Sequence, residues 1–255
     1  MTVGKAEITS ISDIPQERWD KLTQKRIFFG HQSVGANIID GLKKIIKDNN
    51  NIKLNIIDID SQKLFTKPGI SHSRIGENRK PESKIIAFAD TMNNGIGDNV
   101  DIAFFKFCYV DITAKKNINK LFEEYKNSLA VLRDKYKNTL FIHVTVPLRA
   151  TTPGIKSIIK KILKKPDWEY EDNVKRNEFN QLLNIEYLDF EPIFDLAMIE
   201  ATYPDGSLEI FSQKGKNYLS LVPDYTDDGG HLNKKGQQRV AEQLLFFLAN
   251  QMNSL

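Results

Sequence analysis

The stretch Arg26-Ile27-Phe28-Phe29-Gly30-His31-Gln32-Ser33-Val34-Gly35 contains a change of period. Ile27, Phe28 and Phe29, entered from Arg26 and stopped by Gly30, form a short apolar run that suits a strand buried on both faces of a parallel sheet. From Val34 onward, Val34, Ile38, Leu42, Ile45 and Ile46 recur at helical spacing, with lysines on the opposite face. A buried strand that turns into an amphipathic helix within a few residues is the opening of a β-α-β unit, and the alternation continues down the chain. Residues 52–59, 101–107, 139–146 and 185–189 read as further strands. Helical patterns fall at 84–92, on the stripe Ile118, Leu121, Phe122, Tyr125, Leu129, Leu132 and Tyr136, at 170–183 and at 233–250. Strands separated by helices of this length imply right-handed crossovers and a parallel sheet covered on both faces. Ligands of such sheets collect at the carboxyl ends of the strands, so chemistry is expected just after Phe29, Ile59, Phe107, Val146 and Asp189. One segment departs from the pattern. Residues 207–212 and 217–222 flank Gln213-Lys214-Gly215-Lys216, which reads as an inserted antiparallel hairpin, either a plain flap or a lid or subunit contact.

The 255 residues suffice for one large or two small domains. No repeat, low-complexity tract or linker divides them, so 1–24 reads as an N-terminal extension and 25–255 as a single α/β domain. A content of 40% hydrophobic and 27% charged residues is that of an ordinary soluble globule. The 36 Lys+Arg against 33 Asp+Glu leave a net charge of +3, which excludes a dominant nucleic-acid footprint. No apolar run approaches the roughly 18 residues of a spanning helix. Met1 to Ser10 lacks the apolar centre of a signal peptide, and the compartment is left open. The lone Cys108 excludes an intrachain disulfide and a cysteine-based zinc cluster. The phosphate-cradling pattern G-x-x-x-x-G-K-[ST] does not occur.

Several residues can carry chemistry. Ser33 sits where the first strand turns into a helix, with its hydroxyl at the strand's carboxyl end and its N–H at a helix N-terminus that favours developing negative charge. A helix cap would account for the same serine. Asp227-Asp228-Gly229-Gly230-His231-Leu232-Asn233 precedes the last helix. Between Asp228 and His231 stand two glycines that permit a tight turn, so the carboxylate can hold one ring nitrogen and leave the other as a base. The plain alternative is a capping loop. A metal set of Asp227, Asp228 and His231 finds no second ligand cluster, and no metal is expected. Cys108, at a strand end, is either a second nucleophile or a small buried hydrophobe. His143 shares a strand face with Phe141 and Thr145 and reads as a core histidine. Ser71-His72-Ser73-Arg74-Ile75-Gly76-Glu77-Asn78-Arg79 is rich in hydrogen-bond donors and suits polar substrate recognition, with His31 nearby. Ile155, Ile158, Ile159, Ile162 and Leu163, bordered by lysines, read as a covering helix or one that lies on an anionic surface.

Asp228-Gly229-Gly230-His231-Leu232-Asn233, followed by Gly236, resembles the last signature block of the SGNH/GDSL hydrolase superfamily. The Gly30-His31-Gln32-Ser33 turn is similar to that family's nucleophile block, without its usual Gly-Asp-Ser wording. The resemblance runs from about Lys25 to the final helix in strand order and spacing. It implies a flavodoxin-like three-layer α/β/α sandwich on a five-stranded parallel sheet, with the hairpin as an addition. It also implies an esterase that forms a covalent acyl-enzyme on Ser33, with His231 as base, Asp228 orienting it, and no cofactor. The oxyanion would be held by the N–H groups of Ser33 and Gly76, with Gly69 as a rival to Gly76. The family's third block, Gly-x-Asn-Asp, aligns with Cys108-Tyr109-Val110-Asp111, where only Asp111 matches. Val110 cannot donate a side-chain hydrogen bond, and loss of one oxyanion donor costs about 10²–10³ in rate. Asn78, Lys106 or Tyr109 could take its place. His31, His72, Arg74, Asn78 and Tyr109 are the candidate substrate contacts. The family's habits point to a small O-acyl group on a carbohydrate. A glycan-binding or assembly protein on a decayed scaffold and an O-acyltransferase are the alternatives, and the oligomeric state is open.

Overall fold

The computed structural model describes residues 11–59, 67–151 and 168–252. Helix α1 (Gln16–Thr23) precedes strand β1 (Arg26–His31), which enters helix α2 (Val34–Asp48) through Gln32 and Ser33 alone. β1 is central. It pairs in parallel with β3 (Gly69–Arg74) on one side and β4 (Ile102–Phe105) on the other. Outside these lie β2 (Ile56–Asp58), β5 (Leu140–Val144) and β6 (Ile193–Phe194), giving the order β2-β3-β1-β4-β5-β6 with every neighbouring pair parallel.

The period of two along a strand sends alternate side chains into two separate cores. Ile27, Phe29, Ile102, Phe104, Ile142 and Val144 pack on the side of α2 and the last helix, α7 (Lys234–Gln251). Phe28, Ala103, Phe105 and Phe141 pack on the side of α3 (Pro81–Thr91), α4 (Ile118–Lys135) and α5 (Trp168–Tyr187). Each fully buried branched or aromatic side chain contributes roughly 1.5–3 kcal/mol, so both faces of the sheet hold their helices and a three-layer α/β/α sandwich results. α1 lies on α7, with Trp19 and Leu22 buried. A short helix α6 (Leu196–Ala201) follows β6.

Among the described residues the central sheet has six strands, not five. β3 overlaps the donor-rich stretch 71–79, where the apolar pattern predicts no strand. It is flanked by β1 and β2, so its Ser71, His72 and Ser73 are buried although no apolar pattern marks them. The strand expected at 185–189 is instead the last turn of α5 and the bend after it. Phe179, Leu183 and Tyr187 recur every fourth residue and are buried, whereas Ile185 and Leu188 are exposed. The last strand is Ile193–Phe194, paired with His143 and Val144. The hairpin forms as β7 (Ile210–Gln213) and β8 (Lys216–Leu219), joined by Lys214 and Gly215, both at positive φ as a tight two-residue turn requires. It is fastened to α5, where the Asn177 side chain bonds both the N–H and the carbonyl of Leu219 at 3.0 Å. The isoleucine–lysine stripe at 155–165 lies outside the described residues. Among the described residues no helix is long and apolar enough to cross a membrane.

Candidate active site

Ser33 stands at the N-cap of α2, yet its side chain makes no cap hydrogen bond. Its backbone is held at φ 50°, ψ −110°, a conformation that costs a non-glycine residue about 1–3 kcal/mol and persists only where surrounding structure enforces it. The strain turns the hydroxyl away from the helix. Ser33 Oγ lies 2.7 Å from His231 Nε2 across 198 residues of sequence.

The loop before α7 holds that histidine. His231 Nδ1 is 2.5 Å from Asp228 Oδ2. Asp228 Oδ1 accepts the N–H groups of Gly230 at 2.9 Å and His231 at 2.7 Å. Burial pushes the Asp228 carboxyl up, but bonds from the His231 ring and from these two N–H groups outweigh it and hold the carboxyl well below the usual carboxylate range. An ionised Asp228 only accepts, so Nδ1 carries the proton and Nε2 presents its lone pair to the Ser33 hydroxyl. Asn233 caps α7 by accepting from the N–H groups of Lys235 and Gly236 at 3.1 Å, which ends the loop at a fixed point. The Asn37 side chain accepts from Leu232 N–H at 3.2 Å and ties the loop to α2.

Gly76 follows β3 on one side of Ser33. Its φ is +59°, and a Cβ there would lie 2.7 Å from the N, Cα and Cγ of Lys84, so glycine alone fits. Lys84 is fully buried and paired with Asp111, whose oxygens also accept from Cys108 N–H at 2.6 Å and Arg79 N–H at 2.7 Å. Asp111 therefore braces both the loop that carries Gly76 and the turn after β4. Gln32 Nε2 donates to the Gly76 carbonyl at 2.9 Å and, at 3.4 Å, to the Ile75 carbonyl, whose peptide carries the Gly76 N–H.

No protein-family model and no curated protein matches the sequence. Among solved structures, an acetyl esterase mutant with acetate ion matches with a TM-score of 0.53 at 13% identity, over 89% of this chain and 97% of that one. A carbohydrate esterase family 3 protein from Talaromyces cellulolyticus matches with a TM-score of 0.51 at 13% identity, over 90% and 97%. A GDSL-like lipase from Bacteroides thetaiotaomicron VPI-5482 matches with a TM-score of 0.50 at 13% identity, over 89% of both chains. This chain has the fold of these GDSL-like lipases and esterases. At these identities the likeness is one of fold.

Within the SGNH/GDSL fold the remaining candidates separate. Gly69 opens β3 at the opposite end of the strand from Gly76, and its N–H is committed to Lys25 O at 2.8 Å, so it is no rival to Gly76. His31 and His72 are buried against each other, Nε2 to Nδ1 at 3.1 Å. Burial, followed by the charges of His72, Lys106 and Arg74, lowers the His31 pKa to about 3, and burial also lowers that of His72. With Arg74 they border a cavity of about 600 Å³ that Asp40, Lys43 and Asp58 also line. Asn78 accepts from Lys84 Nζ at 3.0 Å. Lys106 is buried and donates to Phe107 O at 3.1 Å. Cys108 is a fully buried thiol. His143 is a satisfied core histidine, 2.6 Å from the Tyr125 hydroxyl and 3.0 Å from Glu191. Tyr109 lies beside His231, its hydroxyl 3.4 Å from Nδ1.

Two contributors carry no sequence signal. Arg149, after β5, donates to the carbonyls of Gly229 and Asp228 at 3.3 Å and braces the histidine loop. Glu200, fully buried, accepts from Leu148 N–H at 2.7 Å and holds the segment that leads to Arg149. Arginine and glutamate are ordinarily surface residues, so only spatial neighbours reveal these roles.

Proposed function

We propose that this chain is a serine ester hydrolase that removes a small O-acyl group from a carbohydrate through an acyl-enzyme on Ser33. The observation that carries the reading is the 2.7 Å contact of Ser33 Oγ with His231 Nε2, with Asp228 on the other ring nitrogen. In the proposed sequence the Ser33 proton passes to Nε2 as Oγ attacks the ester carbonyl. The N–H groups of Ser33 and Gly76 hold the tetrahedral oxyanion. Nε2 then gives its proton to the departing alcohol oxygen, and a water, activated by the same nitrogen, releases the acid. Asp228 keeps the imidazole in the required tautomer and stabilises its protonated form.

Two fold neighbours, the acetyl esterase and the family 3 carbohydrate esterase, favour a small acyl group and a sugar alcohol. The half-exposed His231 and Asp228 side chains fit a bulky alcohol part that stays near solvent. Val110 is the observation that favours a glycan-binding protein on a decayed scaffold; the strained, hydrogen-bonded Ser33 argues for catalysis.

The test is hydrolysis of 4-nitrophenyl acetate by the parent, Ser33→Ala and His231→Ala. Each variant is expected to lose at least about 10³-fold in kcat. Equal hydrolysis by all three proteins refutes the assignment. A parent that neither turns over the ester nor labels with a fluorophosphonate, yet binds glycans, supports the scaffold reading. Product analysis with added polyol separates hydrolysis from acyl transfer.

A further inference from the structure

Tyr109 occupies the turn after β4 (Tyr109–Asp111) and is held on several sides. The guanidinium groups of Arg149 and Arg176 lie 5.5 Å and 5.9 Å from its ring centre. Arg176 Nε donates to its carbonyl at 2.9 Å. Gly230 leaves room for the ring, since a Cβ there would stand 2.7 Å from Tyr109 Cζ. The ring meets His231 edge-on, with 5.6 Å between centres and 76° between planes. The hydroxyl is 3.4 Å from Nδ1 and 3.5 Å from Nε2, both longer than the contacts these nitrogens make with Asp228 and Ser33. The imidazole is already satisfied, so the Tyr109 O–H is a spare donor beside the Ser33–His231 pair.

We infer that the Tyr109 hydroxyl donates a hydrogen bond to the alcohol oxygen that leaves, and so is a catalytic residue for ester cleavage; this rests on the Ser33–His231–Asp228 reading above. The sheet order supplies the geometric reason. Gly76 follows β3 and Tyr109 follows β4, so they flank Ser33, which follows β1, from opposite sides. With the carbonyl oxygen on the Gly76 side, the alcohol oxygen is the atom that must approach His231 Nε2, to about 2.6–3.2 Å for proton transfer. That position adjoins the Tyr109 hydroxyl. When the tetrahedral intermediate breaks down, the carbon–oxygen bond to the alcohol cleaves and its electron pair stays on the alcohol oxygen. That oxygen takes the proton from Nε2, while Tyr109 keeps its own proton and stabilises the charge that builds before transfer. Burial, then the nearby Asp228 charge, pushes the Tyr109 pKa up, so the phenol stays a donor.

The test compares kcat/KM, which reports acylation, for phenyl acetate and 4-nitrophenyl acetate in the parent and Tyr109→Phe. Phenolate leaves less readily than 4-nitrophenolate and needs more help. The ratio of the phenyl to the 4-nitrophenyl value is expected to fall about fivefold in the variant, the size of one modest hydrogen bond. Thermal unfolding and fluorophosphonate labelling of Ser33 check that the site is still assembled, since fluoride departs with little proton assistance. An equal fall for both esters, as from a loosened His231, overturns the inference, and so does an unchanged ratio. If Tyr109→Phe does not fold, 3-fluorotyrosine at position 109 replaces it. A more acidic donor is expected to raise the ratio, and an unchanged or lowered ratio overturns the inference. Failure of the serine reading itself shows differently, as hydrolysis that survives Ser33→Ala.

Discussion

Asp228→Asn is a one-atom change whose consequence follows from the hydrogen bonds around it. Asp228 Oδ1 serves two backbone donors, at 2.9 Å and 2.7 Å, and Oδ2 serves His231 Nδ1 at 2.5 Å. Asparagine has a single oxygen for these three donors. If the oxygen faces Nδ1, the amide NH₂ is turned onto the N–H groups of Gly230 and His231, and two bonds of about 0.5–1.5 kcal/mol each are lost. The favoured arrangement keeps the oxygen on the backbone and turns the NH₂ toward Nδ1. Nδ1 must then accept, which moves the ring proton to Nε2 and leaves no lone pair to take the Ser33 proton. A wrong tautomer in an otherwise intact triad lowers kcat by about 10⁴, or about 5.5 kcal/mol of barrier. The backbone bonds survive, so the thermal midpoint is expected to move by less than about 3 °C. The assay is steady-state release of 4-nitrophenol from its acetate at saturating substrate, beside a thermal melt of the same preparation. A kcat within tenfold of the parent refutes the tautomer argument, and loss of activity through unfolding refutes the claim that the loop is held by the backbone bonds.

Two other predictions concern groups around the site. Gly76→Ala places a methyl 2.7 Å from the backbone of Lys84, which its buried pairing with Asp111 keeps from yielding, so the Gly76 peptide must move. kcat is expected to fall about 10²–10³-fold, and a positive φ in alanine costs roughly 1–2 kcal/mol. A melt that drops while kcat holds would remove Gly76 from the oxyanion hole. Glu200→Gln tests a buried acid. Burial raises the Glu200 carboxyl to about 8, against opposing effects of the Leu148 N–H bond and the Lys106 and Arg176 charges. Because the folded value lies above the unfolded one of about 4.3, the neutral acid stabilises fully at low pH, and that contribution is lost as pH rises toward 8. Glutamine cannot ionise in the unfolded chain and escapes the loss. The variant's advantage is therefore expected to grow by about 1.4 kcal/mol per pH unit, or roughly 3 kcal/mol between pH 5 and 7. Urea unfolding at the two pH values measures it, and a gap that does not widen contradicts a neutral Glu200.

The parts of the fold that could be read from the residues are those where burial and period coincide. β1, β4 and β5 carry apolar side chains on both faces, and α2, α4 and α7 carry one apolar stripe, so their patterns are unambiguous. β3 failed that test for a physical reason. Its Ser71, His72 and Ser73 are polar although buried, with one His72 ring nitrogen against His31, so composition imitates a loop. The stretch 185–189 failed in the opposite direction. Its alternation of apolar and polar residues imitates a strand, while the four-residue spacing of Phe179, Leu183 and Tyr187 buries the helix on its other face.

At the site, spacing alone proposed Asp228 with His231, because two intervening glycines allow a carboxylate to reach back to an imidazole three residues on. Ser33 was legible as a strand-to-helix serine, but a cap and a nucleophile share that pattern. What the sequence determined by itself was therefore local: the strands and helices in which burial and period coincide, and which short loops hold chemically able residues. The tertiary structure decided everything that depends on distance through space. It bends Ser33 into a strained turn toward His231, seats Gly76 and Tyr109 on either side of it, and buries His31 against His72. It also brings Arg149 and Glu200 behind the histidine loop. Local pattern records the period of burial along a chain, whereas a site assembles where strand ends meet, and that meeting is set by the order of strands in the sheet.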